Sequence, residues 1–258
     1  MFISSQDLEK IYQDDSVLIL DARSYKDYSK GHIPGSVSLD LFSFHWADTS
    51  QKGLVSFGEH MRKILSYAGI DENKKIIFYD HSSGMLAARG VWMCLYFSHP
   101  DVQMLDGGLS KWTKENLPTQ TESTIYKPTN LTTPINPSII IGFEELNENI
   151  GKVTIIDARS PDEFDGTIPR AARGGHIPTA KNIDWNNNLD DSGKLKSDSE
   201  LESLYTMDKE YPIVTYCQGA YRAANSYLSL KKIGFKNVKV YLGSWGEWGN
   251  NLKLPIEK

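Results

Sequence analysis

A chain of 258 residues, 40% hydrophobic and 24% charged, carries enough apolar material for one large domain or two of ordinary size. Its net charge of -5 gives no general attraction to nucleic acid or to an anionic membrane surface. No apolar run reaches the roughly 18 residues of a membrane span, residues 1–9 lack the basic start and apolar stretch of a signal peptide, and two cysteines make no disulfide framework. The expectation is a cytoplasmic protein with both thiols free.

In chain order, short apolar, β-branched runs predict strands at 17–20, 76–79, 102–105, 153–156, 213–216 and 238–241. Helical patterns fall between them at 59–68, 86–97, 200–207 and 223–233. Near-continuous apolar strands imply sheets covered by helices on both faces, and the alternation predicts an α/β fold with parallel strands. Ligands in such sheets sit at the carboxyl ends of strands.

The elements occur twice. Val17-Leu-Ile-Leu-Asp-Ala-Arg-Ser24 returns as Val153-Thr-Ile-Ile-Asp-Ala-Arg-Ser160, and Gly31-His-Ile-Pro34 as Gly175-His-Ile-Pro178. Ile76-Ile-Phe-Tyr-Asp80 matches Ile213-Val-Thr-Tyr-Cys217, and Gly107-Gly-Leu-Ser-Lys-Trp112 matches Gly243-Ser-Trp-Gly-Glu-Trp248. Asp21 and Asp157 stand 136 residues apart, as do Trp112 and Trp248, whereas His32 and His176 stand 144 apart. The second copy therefore carries eight extra residues just before its Gly-His-Ile-Pro element. Residues 126–138 hold three prolines among small polar residues and read as an extended linker. Domains are expected at 1–125 and 139–258.

Cys217 follows a strand directly and leads, through Gln218, Gly219, Ala220, Tyr221 and Arg222, into a helix. Gly219 lets the backbone curl, and a tight loop at a helix N-terminus points N–H groups inward, where they bind anions. A cysteine held there is expected to be a thiolate, the nucleophilic form, with Arg222 adding a permanent charge. Cys94, in an apolar helical run, is expected to be core.

Together the Asp-Ala-Arg-Ser strand ends, both Gly-His-Ile-Pro elements, the 217–222 loop and the glycine-tryptophan segments resemble the tandem-domain rhodaneses. These are thiosulfate and 3-mercaptopyruvate sulfurtransferases. The resemblance implies two rhodanese-like domains, the second bearing a persulfide-forming Cys217 and the first, with Asp80 in that place, inactive. It implies transfer of a sulfane sulfur from thiosulfate, or alternatively 3-mercaptopyruvate, to cyanide or a thiol, with no metal or organic cofactor. Loop N–H groups from Gln218 to Arg222 would hold the persulfide. Two departures bear on the substrate: only Arg222 is charged in the loop, and Glu163 stands where some relatives place a substrate-binding arginine. Glu163 is expected to point away, pairing with a neighbouring cation. The insertion offers Arg170 and Arg173, of which one is expected to reach the mouth above Cys217.

The motifs shared by both copies carry no sign of chemistry peculiar to one. Asp21-Ala-Arg23, Asp157-Ala-Arg159, His32 and His176 are therefore expected to be structural. The tryptophans should pack the domains, with Trp245 alone a candidate for a pocket edge. Residues 190–196 are expected to be a solvated loop. A cysteine phosphatase or arsenate reductase needs five residues between cysteine and arginine, and this loop has four. A non-enzymatic binding module fits the first copy better than the second.

Overall fold

The computed structural model describes residues Met1–Lys258 and falls into two units. The first comprises residues 1–44, 58–136 and 189–195, and the second residues 45–57, 137–188 and 196–258. The linker expected at 126–138 is thus counted with the first unit up to Asn136, and each unit includes one short segment from the other sequence copy.

Each unit is built on one five-stranded, wholly parallel sheet. In the first, β1 (Phe2–Ile3), β2 (Val17–Asp21), β3 (Val37–Ser38), β4 (Lys75–Tyr79) and β5 (Val102–Leu105) lie in the order β1-β5-β4-β2-β3. In the second, β6 (Ile140–Ile141), β7 (Thr154–Asp157), β8 (Lys181–Asn182), β9 (Ile213–Tyr216) and β10 (Val238–Tyr241) repeat that order as β6-β10-β9-β7-β8. The six predicted strands are the three inner ones of each sheet, with bounds within one residue of those expected. The four outer strands, two residues each, are too short to carry a period of their own.

The inner strands are buried on both faces, which is why they read as unbroken apolar runs. Val17, Ile19, Ile77 and Tyr79 share one core with Leu8, Leu109 and Trp112. On the opposite face Leu18, Leu20, Ile76 and Phe78 are equally enclosed. There the helix Met85–Tyr96 approaches so closely that a Cβ on Gly90 would overlap the Phe78 ring. In the second unit Ile155, Val214 and Tyr216 pack with Leu146, Trp245 and Trp248. Each fully buried side chain of this size contributes roughly 1.5–3 kcal/mol, so these cores rather than the short outer pairs hold the sheets. The other helices also shift from expectation. Gln51–Tyr67 begins eight residues before the predicted 59, because Gly53, Ser56 and Gly58 hide its start. Asp198–Leu204 begins earlier on a Ser197–Glu200 capping box and stops before Tyr205.

The shared motifs brace the two units identically. Arg23 and Arg159 donate to Asp21 and Asp157, and each guanidinium reaches one turn carbonyl, Gly31 and Gly175, at 2.8 Å. The histidine that follows each glycine stacks on an aromatic ring, His32 on Tyr28 and His176 on Phe164, with centroids 3.7 Å apart. Trp112 and Trp248 donate their indole N–H to Pro118 and Pro255 at 2.7 Å. Trp245 is fully buried against Arg159.

The stretch 190–196 is solvated only in part. Asp190 accepts from Ser192 and Lys194, closing a tight turn, and Leu195 is buried. Gly193 accepts from the Ser83 N–H at 2.7 Å, and Asp106 accepts from the Leu195 N–H at 2.9 Å. Asp190, Asp191 and Ser192 are exposed as the charges suggested, while Lys194 reaches Asp106 at 3.6 Å.

Candidate active site

Cys217 stands at the carboxyl end of β9, buried at 1% exposure, and the helix Tyr221–Lys232 begins four residues later. Between them the backbone turns sharply, with Ala220 in the left-handed region at φ 66°. A non-glycine residue there is strained, and such strain persists only where the surroundings impose it. The surroundings come from the segment after β10. Ser244, itself left-handed at φ 52°, accepts hydrogen bonds from the Cys217 N–H at 3.2 Å and the Ala220 N–H at 3.1 Å, and donates to the Tyr241 carbonyl. Trp245 and Gly246 donate their N–H groups to the carbonyls of Cys217 and Gln218, each at 2.9 Å. Sequence reasoning took the glycine-tryptophan segment for packing, with Trp245 a candidate for a pocket edge, and gave Ser244 no role. The signal for Ser244 was its contrast with Gly108 at the matching place in the first copy.

Arg222 lies on the first turn of the helix, and its guanidinium faces both the Cys217 sulfur and Glu163. Glu163 accepts from Nη1 at 2.5 Å and from Nη2 at 2.9 Å, a bidentate pair. Burial would raise the Glu163 carboxyl, but the hydrogen bonds and charge of Arg222 outweigh it and bring the pKa down to about 2. For Arg222 burial opposes the charge, and the hydrogen bonds and charges of Glu163 and Cys217 override it and raise the pKa. Glu163 does pair with a cation, but it does not point away: its partner is the loop's own arginine.

The insertion separates the two arginines expected near the mouth. Arg170 is about half exposed, with Nη1 3.5 Å from Glu163, and its carbonyl accepts from the Gln218 amide at 3.0 Å. Arg173 does not reach the mouth. Its guanidinium donates to the carbonyls of Trp248, Gly249, Asn251 and Leu254, which ties the insertion to the C-terminal segment. Four carbonyls without other side-chain donors outcompete a place in solvent. Cys94 is enclosed in its helix, where burial pushes the thiol up, away from the reactive form.

A further residue comes from far away in sequence. His45 belongs to residues 45–57, which are counted in the second unit. Its exposed imidazole lies against Gly219, where a Cβ would overlap the ring, and runs nearly parallel to the Tyr221 ring, 14° between planes. The segment is held by Thr49, whose N–H donates to Glu247 at 2.7 Å and whose hydroxyl donates to the other Glu247 oxygen. Tyr241 donates to Glu247 as well, and the Phe143 N–H donates to Thr49. No motif spacing links residue 45 with residue 219.

The rhodanese-like domain family matches residues 4–115 and again residues 143–251. The chain belongs to that family. Among its relatives, the sulfur carrier protein TtuD of Thermus thermophilus is 32% identical, over all of this chain and 96% of its own length. A thiosulfate sulfurtransferase of Azotobacter vinelandii is also 32% identical, over all of this chain and 97% of its own. The 3-mercaptopyruvate sulfurtransferase SseA of Escherichia coli superposes with a TM-score of 0.80 at 26% identity, over 95% of this chain and 98% of that one. No helix of the chain is long and apolar enough to cross a membrane.

The first rhodanese-like unit has the same loop with a different filling. Asp80 ends β4 as Cys217 ends β9, and its carboxylate turns back into its own loop. There it accepts from the N–H groups of Ser82, Gly84, Leu86 and Ala87 at 3.0–3.1 Å. Burial nevertheless dominates and raises its pKa, with those four N–H groups opposing. The loop is one residue longer than its counterpart. Gly108, at φ 57°, has the place of Ser244 and no room for a side chain, since a Cβ would meet the Asp80 and Ser82 backbone.

Proposed function

We propose that this protein is a sulfurtransferase that moves a sulfane sulfur from thiosulfate to cyanide or a thiol by way of a persulfide on Cys217. The observation that carries this reading is the setting of Cys217: the end of a buried strand, a strained loop closing on a helix N-terminus, and Arg222 against the sulfur. The Cys217 thiolate attacks the outer sulfur of thiosulfate. The sulfur–sulfur bond of the donor breaks, its electron pair leaves with sulfite, and a persulfide remains on Cys217. Cyanide then attacks the terminal sulfur, leaves as thiocyanate and returns the thiolate. Both steps are displacements at sulfur, as in thiol–disulfide exchange. The loop N–H groups from Gln218 to Arg222, except that of Ala220, which is taken by the Ser244 hydroxyl, lie at the positive end of the helix dipole and stabilise the charge on the terminal sulfur.

Three names among the relatives bear on substrates: thiosulfate sulfurtransferase, 3-mercaptopyruvate sulfurtransferase and sulfur carrier. The sparse charge of the loop makes 3-mercaptopyruvate the alternative donor. Kinetics with both donors, alongside mass spectrometry of the protein after thiosulfate, decide the matter. The reading expects the gain of one sulfur atom in the parent and in Cys94→Ser, and none in Cys217→Ser. A labelled Cys217→Ser variant, or a parent inert to both donors, would sink it.

A further inference from the structure

In-line attack on the outer sulfur of thiosulfate fixes where the rest of the donor goes. The attacked sulfur sits between Cys217 and the departing sulfite, so the SO3 group lies on the side away from the loop floor. It is therefore met by groups at the mouth. Arg222, the one charged residue of the loop, already donates two hydrogen bonds to the Glu163 carboxylate. A dianion thus meets a pair close to neutral and needs a further donor.

His45 stands where such a donor is required. Its ring lies on Gly219, the second residue after Cys217, and its Nε2 is 3.4 Å from the place a Cβ would take on Gly246. Those two glycines belong to the two stretches that form the loop, since Gly246 donates its N–H to the Gln218 carbonyl. The imidazole is exposed on its outer side, and the parallel Tyr221 ring and the Thr49–Glu247 anchor fix its approach. Gly219 and His45 explain each other: glycine at 219 leaves the space that the imidazole fills.

We infer that His45 binds the anionic part of the sulfur donor, donating a ring N–H to the sulfonate oxygens of thiosulfate at the mouth above Cys217. This rests on the sulfurtransferase reading above. His45 thereby places a donor group over the loop that the loop's own residues, Gln218, Gly219 and Ala220, do not place there.

The test is steady-state kinetics with thiosulfate and cyanide for the parent, His45→Ala, His45→Asn, Gly219→Ala, Arg170→Ala and the His45→Ala/Gly219→Ala double variant. Loss of the hydrogen bond should raise the thiosulfate KM roughly ten- to a hundredfold in His45→Ala. The cyanide KM should stay within about twofold, and His45→Asn, which keeps an N–H, should recover part of the loss. Gly219 has no positive φ, so alanine fits the backbone there, and its methyl group must displace the imidazole. Gly219→Ala should then match His45→Ala, and the double variant should be no worse than either, because the two changes remove one contact.

Additive effects of the two substitutions would overturn the inference. So would an unmoved thiosulfate KM in folded His45→Ala, or a cyanide KM that rises equally, which marks general distortion of the loop. A KM that responds to Arg170→Ala alone assigns the role to Arg170 instead. A parent inactive with thiosulfate and with 3-mercaptopyruvate defeats the sulfurtransferase reading itself, whereas an active parent with an indifferent His45 defeats only this inference.

Discussion

Glu163 and Arg222 decide how much charge the site offers. A carboxylate on the arginine that faces the Cys217 sulfur repels an anionic donor, yet Arg222 holds it there with two hydrogen bonds. Contact at 2.5 Å outweighs repulsion over a longer reach, which is why the position of Glu163 could not be judged from its sign alone. Glu163→Gln keeps the shape and removes the negative charge, so the thiosulfate KM should fall several-fold. Arg222→Ala should raise it roughly ten- to a hundredfold. It also takes from the buried Glu163 carboxylate its bidentate partner, leaving Arg170 at 3.5 Å and the bonds from Ser160, at a cost of about 1–3 kcal/mol in stability. The double variant should regain most of the stability and none of the binding; a KM that falls in Arg222→Ala would reverse the assignment. The pH dependence follows from the same pair. The folded pKa of Glu163, about 2, lies below its ordinary value of 4.5, so the stabilisation is complete above 4.5 and is lost as the pH falls toward 2. Acid unfolding followed by circular dichroism should show a shallower fall between those values in Glu163→Gln than in the parent.

The element that shapes the site is the segment after β10, and Ser244 is its working part. The left-handed backbone at 244 would suit glycine, as at Gly108 in the first unit, but glycine has no hydroxyl to accept from Cys217 and Ala220. Ser244→Gly should therefore leave the unfolding temperature nearly unchanged, the relief of strain offsetting the lost bonds, while persulfide formation slows at least tenfold. Ser244→Ala keeps the strain and loses the bonds, and should destabilise by about 1–3 kcal/mol. Stopped-flow rates of persulfide formation with thermal unfolding separate these outcomes, and full-speed transfer in Ser244→Gly would leave the hydroxyl without a role. The same scale explains what could be read in advance. Inner strands are apolar on both faces and so stand out in the sequence, while Lys181–Asn182 pairs through its backbone and carries no side-chain pattern. The loop was readable because Cys217, Gly219 and Arg222 are neighbours in the chain. Ser244 and His45 act on it from afar, and a contact of that kind has no local signature. Arg173 was misjudged for a related reason: the carbonyls that hold it, from Trp248 to Leu254, lie some 80 residues away.

At the scale of the whole molecule, the two copies use one loop in opposite ways. In the second, the loop sets Cys217, the sulfur carrier of the proposed function, before a helix N-terminus with Arg222 facing its sulfur. In the first, the same kind of loop is closed on its own carboxylate, because Asp80 takes up four N–H groups, two of them, Leu86 and Ala87, on the first turn of the helix Met85–Tyr96. An anion site that carries its own anion is a cap, and a cap stabilises. Asp80→Ala leaves those donors buried and unpaired, and should lower stability by about 1–3 kcal/mol. Sulfur transfer per folded molecule should not change, because Cys217 belongs to the other unit. The emptied loop should in turn accept an external anion. Millimolar sulfate should raise the unfolding temperature of Asp80→Ala well beyond its effect on the parent, since binding to the folded state alone stabilises by mass action. Sodium chloride at equal ionic strength controls for general screening. If sulfate raised both proteins equally, or if Asp80→Ala unfolded at the parent temperature, the carboxylate would be a passenger and the first loop would owe its shape to the 189–195 turn that covers Ser83.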